Sequence, residues 1–140
     1  MRQRNIKNLG EKLELNSSFL TDNPEEFKGR WKEIFGNSNP ICLEIGCGKG
    51  QFINKYAQSH PENNYIAVEG QSNVALRALQ KAEENRCENL RIFIAYIDDL
   101  KEYFEKGELS AIFLNFSDPW PKARHAKRRL TYRSLSLIHI

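Results

Sequence analysis

Four groups of residues in this chain have types and spacings that could do chemistry. The first is Glu44-Ile45-Gly46-Cys47-Gly48-Lys49-Gly50. Glycines spaced two apart let a backbone turn sharply and approach a ligand with no Cβ in the way. A helix starting just after them offers free N–H groups there, and Glu44 adds a carboxylate for a cationic ligand group. A dinucleotide loop would read G-x-G-x-x-G, but here the third glycine falls one residue early and Gln51 follows it. A phosphate loop needs Ser or Thr after Gly-Lys, where this chain has Gly50. A glycine-rich turn without a ligand is the plain alternative. The second group is Glu69, 21 positions after Gly48, about where an acid grips ribose hydroxyls in nucleotide sites. A carboxylate accepts two hydroxyl hydrogen bonds well, although a surface acid at a strand end would look the same. The third is Asn115-Phe116-Ser117-Asp118-Pro119-Trp120-Pro121-Lys122. Its prolines fix a rigid turn, and Trp120 offers a π-face to a base. Asp118 can accept hydrogen bonds from the N1–H and N2–H₂ edge of a guanine, and Lys122 can reach a phosphate. The fourth is the basic run that follows, with Arg124, His125, Lys127, Arg128, Arg129 and Arg133. Phosphate contacts call for such a cluster. His125 could assist, but it reads more simply as a solvated side chain.

The elements that must hold these groups are legible as an alternation. Residues 1–23 are polar and read as an irregular arm. Asp22-Asn23-Pro24-Glu25-Glu26 then reads as a helix start, with a capping side chain, an early proline and acids in the first turn. Phe27, Trp31, Ile34 and Phe35 recur at helical spacing, as core contacts. Short apolar runs at 41–45, 65–69, 90–95 and 111–115 read as strands. Helices are expected at 51–58, 72–85 and 100–104. Strands alternating with helices imply a parallel, doubly wound α/β sheet with right-handed crossovers. In such sheets ligands bind beyond the carboxyl ends of the strands, and Gly46, Gly48, Glu69 and Asp118 all fall there. After the third strand comes Tyr96-Ile97-Asp98-Asp99. Asp98 is a candidate for an adenine amino group, with helix capping an equal alternative.

Composition bounds the rest. The chain has 140 residues, 40% apolar and 28% charged, which suits one ordinary globular domain and argues against wholesale disorder. No apolar run approaches the roughly 20 residues that span a bilayer, and no apolar stretch after the first residues reads as a secretory signal. A cytoplasmic location is expected. Cys42, Cys47 and Cys87 are odd in number and form no C-x-x-C, so a disulfide framework or a metal site is not expected. Cys42 and Cys47 read as packing residues. Residues 1–121 carry a net charge of −3, and residues 122–140 carry +6 with no acid. That asymmetry fits either a polyanion contact at the basic end or a solvated tail.

The form E-x-G-x-G-x-G resembles the cofactor loop of class I methyltransferases. Taken with Ile66-Ala67-Val68-Glu69 and the long segment from Leu114 through Lys122 to Tyr132, the chain resembles the bacterial tRNA (guanine-N7)-methyltransferase family. The Arg2-x-Arg4 start resembles that family's basic N-terminus. The resemblance implies a Rossmann-like class I methyltransferase fold, with only the first strands of it present. It implies S-adenosylmethionine as cofactor, tRNA as partner, and methylation of N7 of guanine-46 in the tRNA variable loop, with no metal. Glu44, Glu69 and Asp118 fall on its cofactor-site positions, alongside Gly46 and Gly48. Asp118 is also the candidate catalytic residue. Lys122 falls on a substrate contact, with Trp120, Arg124, Lys127, Arg128 and Arg129 as further tRNA-contact candidates. N7 of guanine is already nucleophilic, so the reaction needs positioning rather than a general base. Two departures stand out. Tyr96 aligns where the family usually places an adenine-side acid. The resemblance is also lost after about residue 134, and Leu135 to Ile140 does not look like the family's next helix, as a truncated or frame-shifted reading frame would leave it. The expected organisation is a basic arm and helix at 1–40, a cofactor-binding α/β half-domain at 41–118, and a substrate turn with a basic tRNA-binding segment at 119–140. Two rival readings are a tRNA-binding fragment without catalysis and an NAD-dependent reductase. Gln51 speaks against the reductase.

Overall fold

The apolar runs of this chain are unbroken rather than alternating, and that is the mark of strands covered on both faces. A computed structural model, which describes residues 7–114, places four of them side by side. They are β1 (Ile41–Ile45), β2 (Asn64–Glu69), β3 (Leu90–Ile94) and β4 (Ala111–Leu114). All pairings are parallel, in the order β3-β2-β1-β4. The chain builds outward from β1 to β3 and then returns to the other side of β1, so the direction of winding reverses there. Ile45 pairs with Val68 and with Leu114, and Glu69 pairs with Ile94, which brings the carboxyl ends of all four strands to one edge.

On one face Cys42, Tyr65, Ala67, Leu90 and Ile92 pack against α3 (Gln51–Ser59) and α4 (Ser72–Asn85). The helices contribute Ile53, Ala57, Ala78, Leu79 and Ala82, all essentially buried. Asn54 ties the two helices together from a buried position, donating to the Gly50 carbonyl at 2.9 Å and to that of Ala78 at 3.5 Å. On the other face Leu43, Ile66, Val68 and Phe93 meet Trp31 of α2 (Trp31–Phe35) and the segment after β3. Trp31 is fully buried between the rings of Phe93 and Phe104, and its indole N–H donates to the Tyr103 carbonyl at 2.9 Å. Phe27, Ile34 and Phe35 pack around this cluster, in the core role that their spacing indicates.

Three local expectations are corrected. The irregular arm contains a helix, α1 (Leu9–Leu15). Beyond it, Phe19 and Thr21 lie along the outer edge of β3, where Ile92 donates to the Phe19 carbonyl and the Thr21 N–H donates to the Ile92 carbonyl, both at 2.8 Å. The expected helix from Pro24 to Phe35 is two pieces, a 3-10 turn at Pro24–Phe27 and α2. Asn23 is left-handed and makes no side-chain cap. Gly29 breaks the run with φ 77°, and the Glu108 carboxylate fixes the break by accepting from the N–H groups of Gly29 (2.9 Å) and Trp31 (3.2 Å). The helix expected at 100–104 is a 3-10 turn at Leu100–Glu102.

Candidate functional site

The loop that joins β1 to α3 is shaped by its glycines. Gly46, Gly48 and Gly50 have φ of 78°, 58° and 80°, while the residues between them do not enter the left-handed region. The x-G-x-G-x-G spacing is therefore a backbone instruction, because β-carbons are disfavoured at every second position. Gly46 and Cys47 both donate to the Val68 carbonyl, at 2.8 and 3.0 Å, which bolts the loop to the end of β2. Gly50 has a further reason to lack a side chain. A Cβ there would stand 2.6 Å from the Ala78 Cβ on α4.

Glu69 closes the arrangement from the end of β2. One of its carboxylate oxygens accepts from the Gly48 N–H at 2.9 Å, and the other accepts from the Gln71 N–H at 3.1 Å. Each oxygen retains a lone pair for a ligand hydroxyl. Glu44 lies beneath, 2% exposed in an inner strand, and its Oε1 has no hydrogen-bond partner among the described residues. Burial pushes its carboxyl up to about 7, because a charge in a poorly solvated place favours neutrality. A buried polar atom without a partner calls for an explanation. Here that atom lies two residues before the first glycine of the loop, at the edge of the sheet where ligands of this architecture bind.

Cys47 sits in the loop. Burial first, then the charges of Glu44 and Glu69, drive its thiol well above the ordinary range. It is therefore no nucleophile near neutrality. Cys42 and Cys87 are also buried and shifted upward by burial, in keeping with packing roles. Among the described residues no group of three His, Cys, Asp or Glu side chains is placed to hold a metal ion, and no helix is long and apolar enough to cross a membrane.

Glu44, Gly46, Gly48 and Glu69 are thus brought together at one edge. Beside them, Ala95 donates to the Glu69 carbonyl at 3.1 Å, which holds the chain after β3 against the end of β2. Gly70 lies against the ring of Tyr96, so closely that any Cβ there would overlap it. The cap of the turn at Leu100 is Asp99, which accepts from the Lys101 N–H at 3.0 Å, and not Asp98. Asp118, Trp120, Lys122, Arg124, His125, Lys127, Arg128 and Arg129 lie outside the described residues, as do Arg2 and Arg4. Sequence reasoning placed Gly50 in the loop but not against Ala78, and it missed Gly70. A glycine directly after Glu69 was a visible signal, but the partner it makes room for was not. A hollow of about 380 Å³ opens at the amino ends of the strands between Asn64, Asn89 and Arg86, far along the sheet from this site.

Comparison with known proteins shows the family and the fold. The family model described as "Putative methyltransferase" matches residues 38–138. The chain is 52% identical over 134 residues to the tRNA (guanine-N(7)-)-methyltransferase of Lactococcus lactis subsp. cremoris and 55% identical over 135 to that of Brevibacillus brevis. In both cases 96% of this chain is covered, and it spans 62% of the relative's length. Among solved structures it superposes on the antibiotic-resistance methyltransferase Kmr with a TM-score of 0.55 at 18% identity, covering 75% of this chain and 51% of that one. A partial Rossmann-like methyltransferase fold is what this likeness shows. Matched by the family model over most of its length, the chain belongs to this methyltransferase family.

Proposed function

We propose that this chain carries the cofactor half of a tRNA (guanine-N7)-methyltransferase, working in the cytoplasm on N7 of guanine-46. The observation that carries the cofactor reading is the buried, orphaned Oε1 of Glu44 beneath a loop already clamped by Glu69. S-adenosylmethionine offers an ammonium, a sulfonium and two ribose hydroxyls, and no phosphate. Glu44 suits the cationic end, since a positive group would satisfy the orphaned oxygen and draw the carboxyl into its ionised form. Glu69 suits the ribose, with one lone pair left on each oxygen. The bare backbone of Gly46 to Gly48 gives close approach. Two acids and an uncharged thiol around the loop favour a cationic ligand over a phosphate.

When bound, S-adenosylmethionine supplies an electrophilic methyl group. The chain's part is then to orient. Asp118 would hold the Watson–Crick edge of guanine and stabilise the positive charge that the methylated base acquires. Trp120 would stack on the base, and Lys122, Arg124, Lys127, Arg128 and Arg129 would hold phosphates. The tRNA part of the reading rests on the similarity of about half identity to enzymes named for that reaction.

The test is transfer of labelled methyl from S-adenosylmethionine to unmodified tRNA, followed by nucleoside analysis. For a full-length version of the chain, label in 7-methylguanosine is the expected result, and Asp118→Ala should abolish it while Glu44 and Glu69 keep the cofactor bound. Label in another nucleoside would overturn the reading. So would salt-sensitive tRNA binding with no cofactor binding, which would leave only a tRNA-holding segment.

A further inference from the structure

The hollow at the amino ends of the strands lies at the opposite end of the sheet from the glycine loop, and the cofactor reading leaves it unused. Helices α3 and α4 both end close to it, at Ser59 and Asn85. Its volume, about 380 Å³, falls within the roughly 300–1,000 Å³ of small-ligand sites. Asn64 stands in its wall, fully buried, and the Oδ1 of that side chain has no hydrogen-bond partner among the described residues. The amide is not free to turn, because its Nδ2 already donates to the Asn37 Oδ1 at 2.7 Å. Asn89, in the same wall, is equally committed. Its Nδ2 donates to the carbonyls of Ala57, His60 and Asn63, at 3.0, 3.2 and 3.0 Å. A rigid polar wall thus carries one fixed and unmet acceptor, and a buried polar atom of that kind calls for an explanation. Arg86 is an independent sign. It lines the same hollow with a left-handed φ of 50°, at the end of α4, where glycine or asparagine is favoured. Its guanidinium makes no hydrogen bond or ion pair among the described residues. A long cation at a strained position, with no partner in the fold, breaks a local rule without a local gain.

These features set the chemistry of an occupant. The buried acceptor needs an N–H or O–H donor, and a wholly apolar ligand would leave it unmet. Helix carboxyl ends carry partial negative charge, so an anion is repelled from the interior and suits only the exposed Arg86. We propose that the hollow binds a nucleoside monophosphate unit, with an N–H of the base's Watson–Crick edge on Asn64 Oδ1 and the phosphate on Arg86. Phe35, Ala57 and Pro61 supply apolar surface for the plane of the base. Each of the four bases has such an N–H, so the contact selects a base over a bare sugar and not one base over another. A free nucleotide and an unstacked nucleotide of an RNA strand present the same chemistry. The site is remote from the edge where Glu44 and Glu69 meet, so it holds its ligand and does not react with it. It does not depend on the cofactor reading.

The experiment is titration of the full chain with cytidine 5′-monophosphate, followed by the amide resonances of a nitrogen-15 spectrum. The expected result is movement of the Asn64 and Asn37 side-chain amides and of the backbone at Arg86, with Gly46 and Gly48 unmoved. Cytidine and ribose 5-phosphate, each keeping one anchor, should bind about tenfold more weakly, the scale of one lost hydrogen bond to a charged or buried group. Arg86→Gly should also bind about tenfold more weakly, yet melt at a higher temperature, because glycine relieves the left-handed backbone. A merely structural arginine would not move stability and binding in opposite directions. A cytidine trinucleotide separates the two sources. Tighter binding of the trinucleotide assigns an RNA strand, tighter binding of the monophosphate assigns a free nucleotide, and either supports the site. Resonances at Asn64 that neither ligand moves would overturn the proposal and leave an ordered water as the partner of Oδ1. Movement confined to the glycine loop would overturn it too, as would parent-like affinity in Arg86→Gly or equal affinity for ribose 5-phosphate.

Discussion

At the scale of single residues, Glu44 is the side chain whose state decides most. Its carboxyl titrates near 7 because it is buried, whereas an ordinary glutamate titrates near 4.3. Between those values the folded chain holds a proton that the unfolded chain has released. Stability of the empty protein therefore falls as pH rises from about 4.5 to 7, by on the order of 2 kcal/mol. Affinity for a cationic ligand moves the other way, because the ionised form is the one that binds it. S-adenosylhomocysteine affinity should rise about tenfold between pH 6 and pH 8. Glu44→Gln should abolish both slopes, which denaturant titrations and binding isotherms across that range would read. A slope that survives the substitution would assign the effect to another group. The type and place of Glu44, Gly46, Gly48 and Glu69 were legible in the sequence, because glycine spacing and strand ends are local signals. The missing partner of Glu44 was not, since it depends on what the neighbouring strands do and do not bring near.

Among the elements, the pair α3 and α4 shows why boundaries were readable while contacts were not. Helix α4 begins and ends at the residues that its apolar spacing indicates, and α3 runs one residue further than expected. Its close approach to the glycine loop, through Ala78 against Gly50, has no trace in either segment alone. Gly50→Ala meets two obstacles, a left-handed φ of 80° and a neighbour at 2.6 Å. It should destabilise the chain by roughly 2–4 kcal/mol, measured by urea unfolding. The same change at Gly36, where a Cβ meets nothing within 4 Å, keeps only the φ penalty and should cost about half as much. Equal costs at the two sites would mean that α4 yields to the intruding methyl. The expected single helix from Pro24 to Phe35 failed for a similar reason. Its apolar period is helical throughout, but Glu108, 77 residues beyond Trp31, captures two N–H groups at the break. A long-range carboxylate overrode a local pattern.

For the molecule as a whole, the parallel α/β architecture followed from the order of elements, and what the sequence concealed was the guarding of the sheet's edge. Residues 19–21 read as loop because they are few and carry no alternation, yet they pair along β3 through two backbone bonds. An exposed strand edge invites pairing with another chain. Thr21→Pro removes the N–H that serves the Ile92 carbonyl. It should cost about 1–3 kcal/mol and increase light scattering on heating. A variant as stable and as monodisperse as the parent would show that this edge needs no cover. The clamp of Glu69 on Gly48 and Gln71 has a consequence of another sort. Both loops are held in shape by a side chain that folding itself puts in place, before any ligand arrives. The entropy of ordering them is thus carried by the folding equilibrium and not by ligand affinity. Encounter with a ligand then requires no search among loop shapes, so its rate follows diffusion and orientation, as for a rigid receptor.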